Sequence, residues 1–98
     1  MPDIDVRAIP GEGGRLFRVK VKEGGGETSH KVAVPEDYYA DLTGRACAPD
    51  EFIKMSFEFL LEREPKESIL REFDITVISR YFPEYEAEMR ERVKPDVT

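Results

Sequence analysis

Two residues could together perform covalent chemistry. The sequence has one cysteine, Cys47, and one histidine, His30, and a thiolate beside an imidazole is the pairing that many nucleophilic enzymes use. However, the segment 45–48 has no helix N-terminus directly after Cys47 to lower the pKa of its thiol, and His30 is predicted to point inward from a strand. We expect structural roles for both residues.

Carboxylates are abundant, with 21 Asp and Glu in the chain. Glu62 and Glu64, or Glu84, Glu86 and Glu88, could be combined into a general acid/base pair or a metal site. Nothing in the sequence marks any of them as buried, so solvated helix faces are the simpler interpretation. With one Cys and one His, the chain alone cannot supply the usual zinc ligands. We expect no catalytic residue, no metal and no cofactor.

Two glycine clusters, at residues 11–14 and 24–26, superficially suggest phosphate-binding loops. The first lacks the Lys-Ser/Thr ending of a P-loop, and both lead into strands rather than helices, so they are predicted to be hairpin connections. Asp3 and Asp5 have the opening spacing of a calcium loop. The Gly at the sixth position and the closing Glu are missing, so we reject that motif.

A basic face is the one candidate binding surface. Phe17 to Lys22 alternates apolar and basic residues, the period of a half-buried strand, and Ser29 to Val34 returns with Val32 and Val34 inward. Four cations then share the solvent side and form a candidate nucleic-acid or partner face: Arg18, Lys20, Lys22 and Lys31. The simpler interpretation is a solvated face whose charges discourage edge aggregation.

The predicted secondary structure changes from strands to helices near residue 35. Residues 3–34 are predicted to form a β-meander, with a short edge strand around Ile4 and Val6. Residues 35–94 have helical periodicity: a short helix from Pro35 to Gly44, and a central core helix from about Pro49 to Glu64.

Two or three short helices are predicted to follow Pro65. Ile69, Leu70 and Phe73 have helical spacing, Asp74 is a candidate N-cap, and the last helix continues to Val93 with Glu86–Arg90 and Glu88–Arg92 pairs. Residues 95–98 are expected to fray. The fold class is α+β: a two- or three-stranded antiparallel meander packed against a C-terminal bundle of three to five short helices, forming one domain over residues 1–98.

Composition limits the class of protein. The chain has 98 residues and a net charge of −6, with 40% hydrophobic and 37% charged residues, values typical of a soluble globular domain. No apolar run approaches the roughly 20 residues that span a bilayer, and the acidic N-terminus lacks the features of a signal peptide. With a single cysteine, a reducing cytoplasm is the expected location, and no membrane partner is expected.

Two segments resemble DNA-binding motifs. Residues 68–82 resemble a helix-turn-helix, although the turn has no Gly, and the ending Tyr81-Phe82-Pro83 is similar to the close of that motif in tetracycline-repressor-like regulators. The order strand, helix, helix over residues 30–61 resembles ribbon-helix-helix repressors and antitoxins. Residues 36–98 contain 9 bases and 16 acids, a balance of −7, whereas phosphate binding requires a concentrated positive surface.

A third resemblance covers about a third of the chain. Residues 59–70, with the sequence FLLEREPKESIL, and the segment around Phe82-Pro83-Glu84-Tyr85 are similar to those of small prokaryotic proteins that have no assigned activity. This similarity implies a prokaryotic source and carries no function with it.

The favoured function is a non-enzymatic protein-interaction or regulatory module. Two observations support it. The sequence contains no recognisable set of catalytic residues, and its apolar residues include four tyrosines, a residue type suited to interfaces: Tyr38, Tyr39, Tyr81 and Tyr85. A protein partner or self-association is expected. The alternative is a nucleic-acid-binding or antitoxin-like regulator that uses the basic face, and an enzyme working through carboxylates or Cys47 ranks third.

Overall fold

The computed structural model describes residues 2–93 and has an N-terminal sheet and a C-terminal helical part. The strands are β1 (Asp3–Ala8), β2 (Leu16–Glu23), β3 (Gly26–Ala33) and β4 (Glu72–Asp74). The helices are α1 (Glu36–Thr43), α2 (Pro49–Leu61), α3 (Ile78–Tyr81) and α4 (Tyr85–Val93), with 3-10 turns at Lys66–Ser68 and Ile75–Val77. The predicted α+β class is confirmed. The predicted frayed tail, residues 95–98, lies outside the described residues.

The first three strands form the predicted antiparallel meander, with β2 between β1 and β3. The turn from β2 to β3 consists of Gly24 and Gly25, both at positive φ (62° and 80°). A two-residue turn with this backbone matches the twist of the strands, and residues other than glycine adopt it at a cost. The expected inward position of His30 is also confirmed, because its side chain is only 2% exposed.

The sheet contains a fourth strand, so the predicted strand count is corrected. The strand order is β1-β2-β3-β4, and β4 runs parallel to β3 with Phe73 beside Val32. The Lys31 N–H also donates to the Arg71 carbonyl at 2.7 Å. Helical spacing favoured a helix here, but pairing with the open edge of β3 and burial of Phe73 against Phe57 outweigh local propensity.

The first two helices begin where the sequence indicated. α1 follows Pro35 and ends at Gly44, which has a φ of 61° and donates its N–H to the Ala40 carbonyl at 2.8 Å. α2 begins at Pro49 and ends three residues before the predicted Glu64, because Pro65 disfavours helical backbone in the residue before it.

α2 is the central core helix, as predicted. Its side chains Phe52, Ile53, Phe57 and Phe59 are fully buried. After β4, the Asp74 carboxylate accepts the Thr76 N–H at 2.9 Å, so the predicted N-cap is also confirmed. Within residues 2–93, no helix combines the length and the apolar character needed to cross a bilayer.

Candidate functional site

The structure places the four predicted basic residues on one face of the sheet. Arg18, Lys20 and Lys22 alternate along β2 with buried residues and are exposed, and Lys31 on β3 is partly exposed directly beside Arg18. This outer face is opposite the one that α2 covers. The predicted juxtaposition of the four cations is therefore present.

Acidic residues lie next to most of these cations. In the strand register Asp3 is opposite Lys22, Asp5 is opposite Lys20, and Glu72 is opposite Lys31. Lys22 also lies 3.6 Å from Glu27 on its other side. The outer face is thus a mixed-charge surface rather than a concentrated positive one.

The sheet also restricts what the two DNA-binding resemblances imply. A ribbon-helix-helix protein pairs its strand with the strand of a second copy, but β3 already has β2 on one side and β4 on the other. The first helix of the helix-turn-helix resemblance would cover residues where the structure has an extended segment and β4, and α3 contains only four residues. The two helices of a helix-turn-helix are therefore absent from residues 68–82, and the strand pair of a ribbon-helix-helix dimer cannot form at β3.

The Cys47–His30 pair is not assembled. Nδ1 of His30 lies 2.8 Å from the Leu70 carbonyl and Nε2 lies 2.8 Å from the Thr28 hydroxyl, so both ring nitrogens are occupied. Cys47 is in the loop between α1 and α2, where its carbonyl accepts the Tyr39 hydroxyl and burial raises the pKa of its thiol. A raised thiol pKa disfavours the nucleophilic thiolate.

Most of the clustered carboxylates are paired with arginines. Arg63 lies 3.1 Å from Glu84 and 3.0 Å from Glu88, and Arg92 lies 2.8 Å from Glu62 and 2.9 Å from Glu88. These contacts join α2 to α4. Among residues 2–93, no three His, Cys, Asp or Glu side chains lie close enough together to hold a metal ion.

An apolar groove lies between the C-terminal end of α2, the segment before β4, and α3. Its volume is about 360 Å³, within the range of small-molecule and side-chain pockets. The floor is formed by buried side chains of the core, namely Leu60, Ile69, Phe73 and Ile78. The groove is therefore an opening into the core itself.

The rim of the groove carries the large hydrophobic side chains that are most exposed in the described part of the chain. Leu70 is 47% exposed and Tyr81 is 67% exposed, and both line the groove. The other tyrosines differ: Tyr39 and Tyr85 are buried and Tyr38 is half-buried. The tyrosines thus do not form a common patch, and Tyr81 alone presents its ring to solvent.

Glu64 supplies a carboxylate at this apolar site. It is half-buried, and its burial raises the pKa of the carboxyl group. Unlike Glu62, Glu84 and Glu88, it has no ion pair or side-chain hydrogen bond with any residue in the range 2–93. The groove therefore combines apolar walls with one carboxylate that a cation from outside could pair with.

The sequence contains one signal that could have identified this groove. Ile69 and Leu70 are adjacent aliphatic residues, and in an extended segment adjacent side chains point in opposite directions. Only one of the two can enter the core, and the structure buries Ile69 and exposes Leu70. A helix was expected over this segment, and helical backbone does not impose that alternation of inward and outward side chains.

Comparison with known proteins adds no assignment. No family model, no curated protein and no solved structure matches this chain. The function proposed below therefore depends on the geometry and chemistry of the groove.

Proposed function

We propose that this chain is a non-enzymatic protein-interaction module and that its groove binds an apolar side chain of a protein partner. The observation that carries this proposal is the exposure of Leu70 and Tyr81 at the rim of an apolar groove of about 360 Å³. Exposed hydrophobic side chains around an opening into the core are typical of interaction sites. Tyrosine in particular is enriched among the residues that dominate binding energy.

The partner that fits is a peptide segment with a large apolar residue next to Lys or Arg. The apolar side chain would occupy the groove above Ile69 and Ile78. The neighbouring cation would pair with Glu64, whose half-buried carboxylate has a raised pKa. A charge pair in such a partly desolvated position contributes more than an exposed surface pair.

A defined peptide probe tests this proposal. We expect a random peptide library selected on the immobilised protein to enrich sequences with an aromatic or aliphatic residue adjacent to Lys or Arg. One enriched peptide is then titrated against variants by fluorescence anisotropy. Leu70→Glu is expected to weaken its binding by at least about tenfold, because it removes an apolar contact and adds a charge at the rim.

The matched control is Ala87→Glu, which adds the same charge at an exposed position of α4; it is expected to leave the affinity unchanged. Glu64→Gln should weaken binding of the basic peptide, but it should not weaken binding of a version of the peptide in which alanine replaces the cation. A library that enriches no common pattern, or a peptide that binds Leu70→Glu as well as the wild type, would count against the groove.

Nucleic-acid binding through the basic face is the second candidate function. One observation favours it: Arg18, Lys20, Lys22 and Lys31 share an open face of the sheet. We place it second because acids lie opposite most of these cations. We further propose a cytoplasmic location in a prokaryote, since a single cysteine suits a reducing compartment and residues 59–70 resemble small prokaryotic proteins.

A further inference from the structure

β1 is an edge strand of the sheet, with β2 as its one strand neighbour among residues 2–93. The Ile9 N–H donates to the Leu16 carbonyl at 2.9 Å, where the β1–β2 pairing begins. Hydrogen-bonded and non-hydrogen-bonded pairs alternate along antiparallel strands, so Asp3, Asp5 and Arg7 exchange hydrogen bonds with β2. The N–H and C=O groups of the residues between them therefore point away from the sheet; these residues are Ile4, Val6 and Ala8.

This edge has charged residues of both signs but none of the other features that commonly prevent edge pairing. Over its 6 residues β1 contains no proline and no lysine, and its charged side chains lie on the outer face instead of pointing into the core. The opposite edge of the sheet is different. β4 has only 3 residues and is followed at once by a 3-10 turn capped by Asp74, so it offers little backbone for pairing.

We propose that two copies of this chain pair antiparallel through β1, with Val6 opposite Val6 of the second copy on a twofold axis. This register places Ile4 opposite Ala8 of the second copy. The outward backbone groups of all three residues then form inter-chain hydrogen bonds, about six in total, since each such pair exchanges two. The two four-stranded sheets become one continuous sheet, and the interface is self-complementary, as twofold symmetry requires.

Charge complementarity selects this register. It places Asp5 of each copy opposite Arg7 of the other, on the outer face. Within one chain Arg7 lies opposite Arg18 on β2, a like-charge pair, and its Nε lies 3.0 Å from Asp5. Both side chains are largely exposed, at 80% for Arg7 and 52% for Asp5. The Asp5 carboxylate of the second copy would approach the free side of Arg7 and offset the repulsion from Arg18.

The neighbouring registers are disfavoured. Registers shifted by one residue would place the buried side chains of one sheet opposite the exposed side chains of the other. Two neighbouring registers keep the faces aligned, and both bring like charges together: one puts Asp5 opposite Asp5 of the second copy, and the other puts Arg7 opposite Arg7. The first would also place Ala8 opposite Pro2, and proline has no N–H to donate.

Sedimentation velocity on the full chain over a concentration series tests the proposal. We expect a concentration-dependent dimer for the wild type and a monomer for Val6→Pro. Proline is tolerated in the folded monomer at this position because the Val6 N–H points away from β2. Circular dichroism and thermal unfolding check that the variant is folded. A wild type that stays monomeric at every concentration, or a folded Val6→Pro variant that dimerises equally well, would overturn the proposal.

A charge exchange tests the register. Asp5→Arg and Arg7→Asp are each expected to raise the dissociation constant by about tenfold, because each turns two symmetry-related attractive pairs into repulsive ones. The double variant restores opposite charges and should recover most of the loss; failure to recover would rule out the Asp5–Arg7 register. Ala87→Glu is the control, since it adds a charge at an exposed position of α4 outside β1 and should leave dimerisation intact.

Discussion

His30 lies inside the core with both of its ring nitrogens engaged. The Leu70 carbonyl can only accept, so Nδ1 carries the hydrogen, and Nε2 then accepts the hydroxyl hydrogen of Thr28; each distance is 2.8 Å. In the neutral imidazole, these bonds therefore select the tautomer with its hydrogen on Nδ1. They also tie the segment that carries Leu70 to β3, so His30 helps to position one side of the groove.

The stability of the protein should depend on the protonation of His30. Burial lowers the pKa of His30 below its ordinary value of 6.5; the hydrogen bond to Leu70 opposes this shift and the charge of Arg71 adds to it. Below pH 6.5 the unfolded chain therefore binds a proton that the folded chain does not. The free energy of unfolding is expected to fall as the pH decreases from 6.5 towards the folded-state pKa, and to level off above 6.5.

Urea unfolding at a series of pH values between 5.5 and 8 measures this dependence. His30 is the only histidine in the chain, so no second imidazole contributes to the dependence of the unfolding free energy on pH. His30→Gln removes the titrating group and should flatten the profile over this range. An NMR titration of the imidazole that gives a folded-state pKa at or above 6.5 would contradict the prediction.

At the scale of elements, a buried hydroxyl pair joins α2 to α4. The Ser56 hydroxyl donates to the Phe52 carbonyl at 2.9 Å. Because that hydroxyl has a single hydrogen, the Tyr85 hydroxyl must donate to Ser56 Oγ, at 2.7 Å. Both side chains are fully buried, so neither can exchange its partner for water.

Removing either hydroxyl should lower the free energy of unfolding, but by different amounts. Ser56→Ala leaves the Tyr85 hydroxyl as a buried donor without an acceptor and should lower the free energy of unfolding by about 1 to 3 kcal/mol. Tyr85→Phe leaves Ser56 still bonded to Phe52 and should cost less, about 0.5 to 1.5 kcal/mol. Urea unfolding measures both. The double variant should cost less than the sum, and strict additivity would contradict the assigned geometry.

An arginine network supports the same pair of helices from outside the core. The Arg63 guanidinium lies 3.6 Å from the centre of the Phe59 ring and also reaches Glu84 and Glu88 on the α4 side. Of the two pairs that the sequence predicted within α4, Glu88–Arg92 is confirmed at 2.9 Å. The other is replaced by contacts with α1: Glu86 accepts the Tyr38 hydroxyl, and Arg90 lies 3.9 Å from Asp41. The contacts of Arg63 cross between elements, and helical periodicity carries no information about them.

At the scale of the whole molecule, charge is distributed unevenly between sheet and helices. Residues 36–98 have a net charge of −7, and the whole chain has a net charge of −6. The cations of the outer sheet face therefore belong to a molecule whose helical part is strongly acidic. Asp3, Asp5, Glu27 and Glu72 lie on the same face. The long-range field therefore opposes the approach of a polyanion.

We accordingly expect no salt-sensitive affinity for nucleic acid. The measurement is a fluorescence anisotropy titration of a double-stranded DNA and a single-stranded RNA oligonucleotide at low salt, where phosphate contacts are strongest. If either oligonucleotide binds, and a triple variant with Glu in place of Lys20, Lys22 and Lys31 no longer binds it, the basic face replaces the groove as the functional surface.

Features that depend only on neighbours along the chain follow directly from the sequence. Alternation over Phe17–Lys22 established β2 and its two faces, the glycines at 24–26 established the hairpin, and Pro49 and Pro65 bracketed the core helix, since strand period, turn backbone and proline geometry are local properties. The inward position of His30 followed from the same alternation. The hydrogen-bond partners of His30 did not.

The conformation of the segment after Pro65 depends instead on contacts with distant parts of the chain. Its apolar spacing suits a helix, but the open edge of β3 offers backbone hydrogen bonds and a space for Phe73 that no local rule describes. That pairing extends the chain at Ile69 and Leu70, buries one and exposes the other, and thereby opens the groove beside Glu64. The candidate site is thus a consequence of a contact between residues about forty positions apart, and local sequence patterns do not report on such contacts.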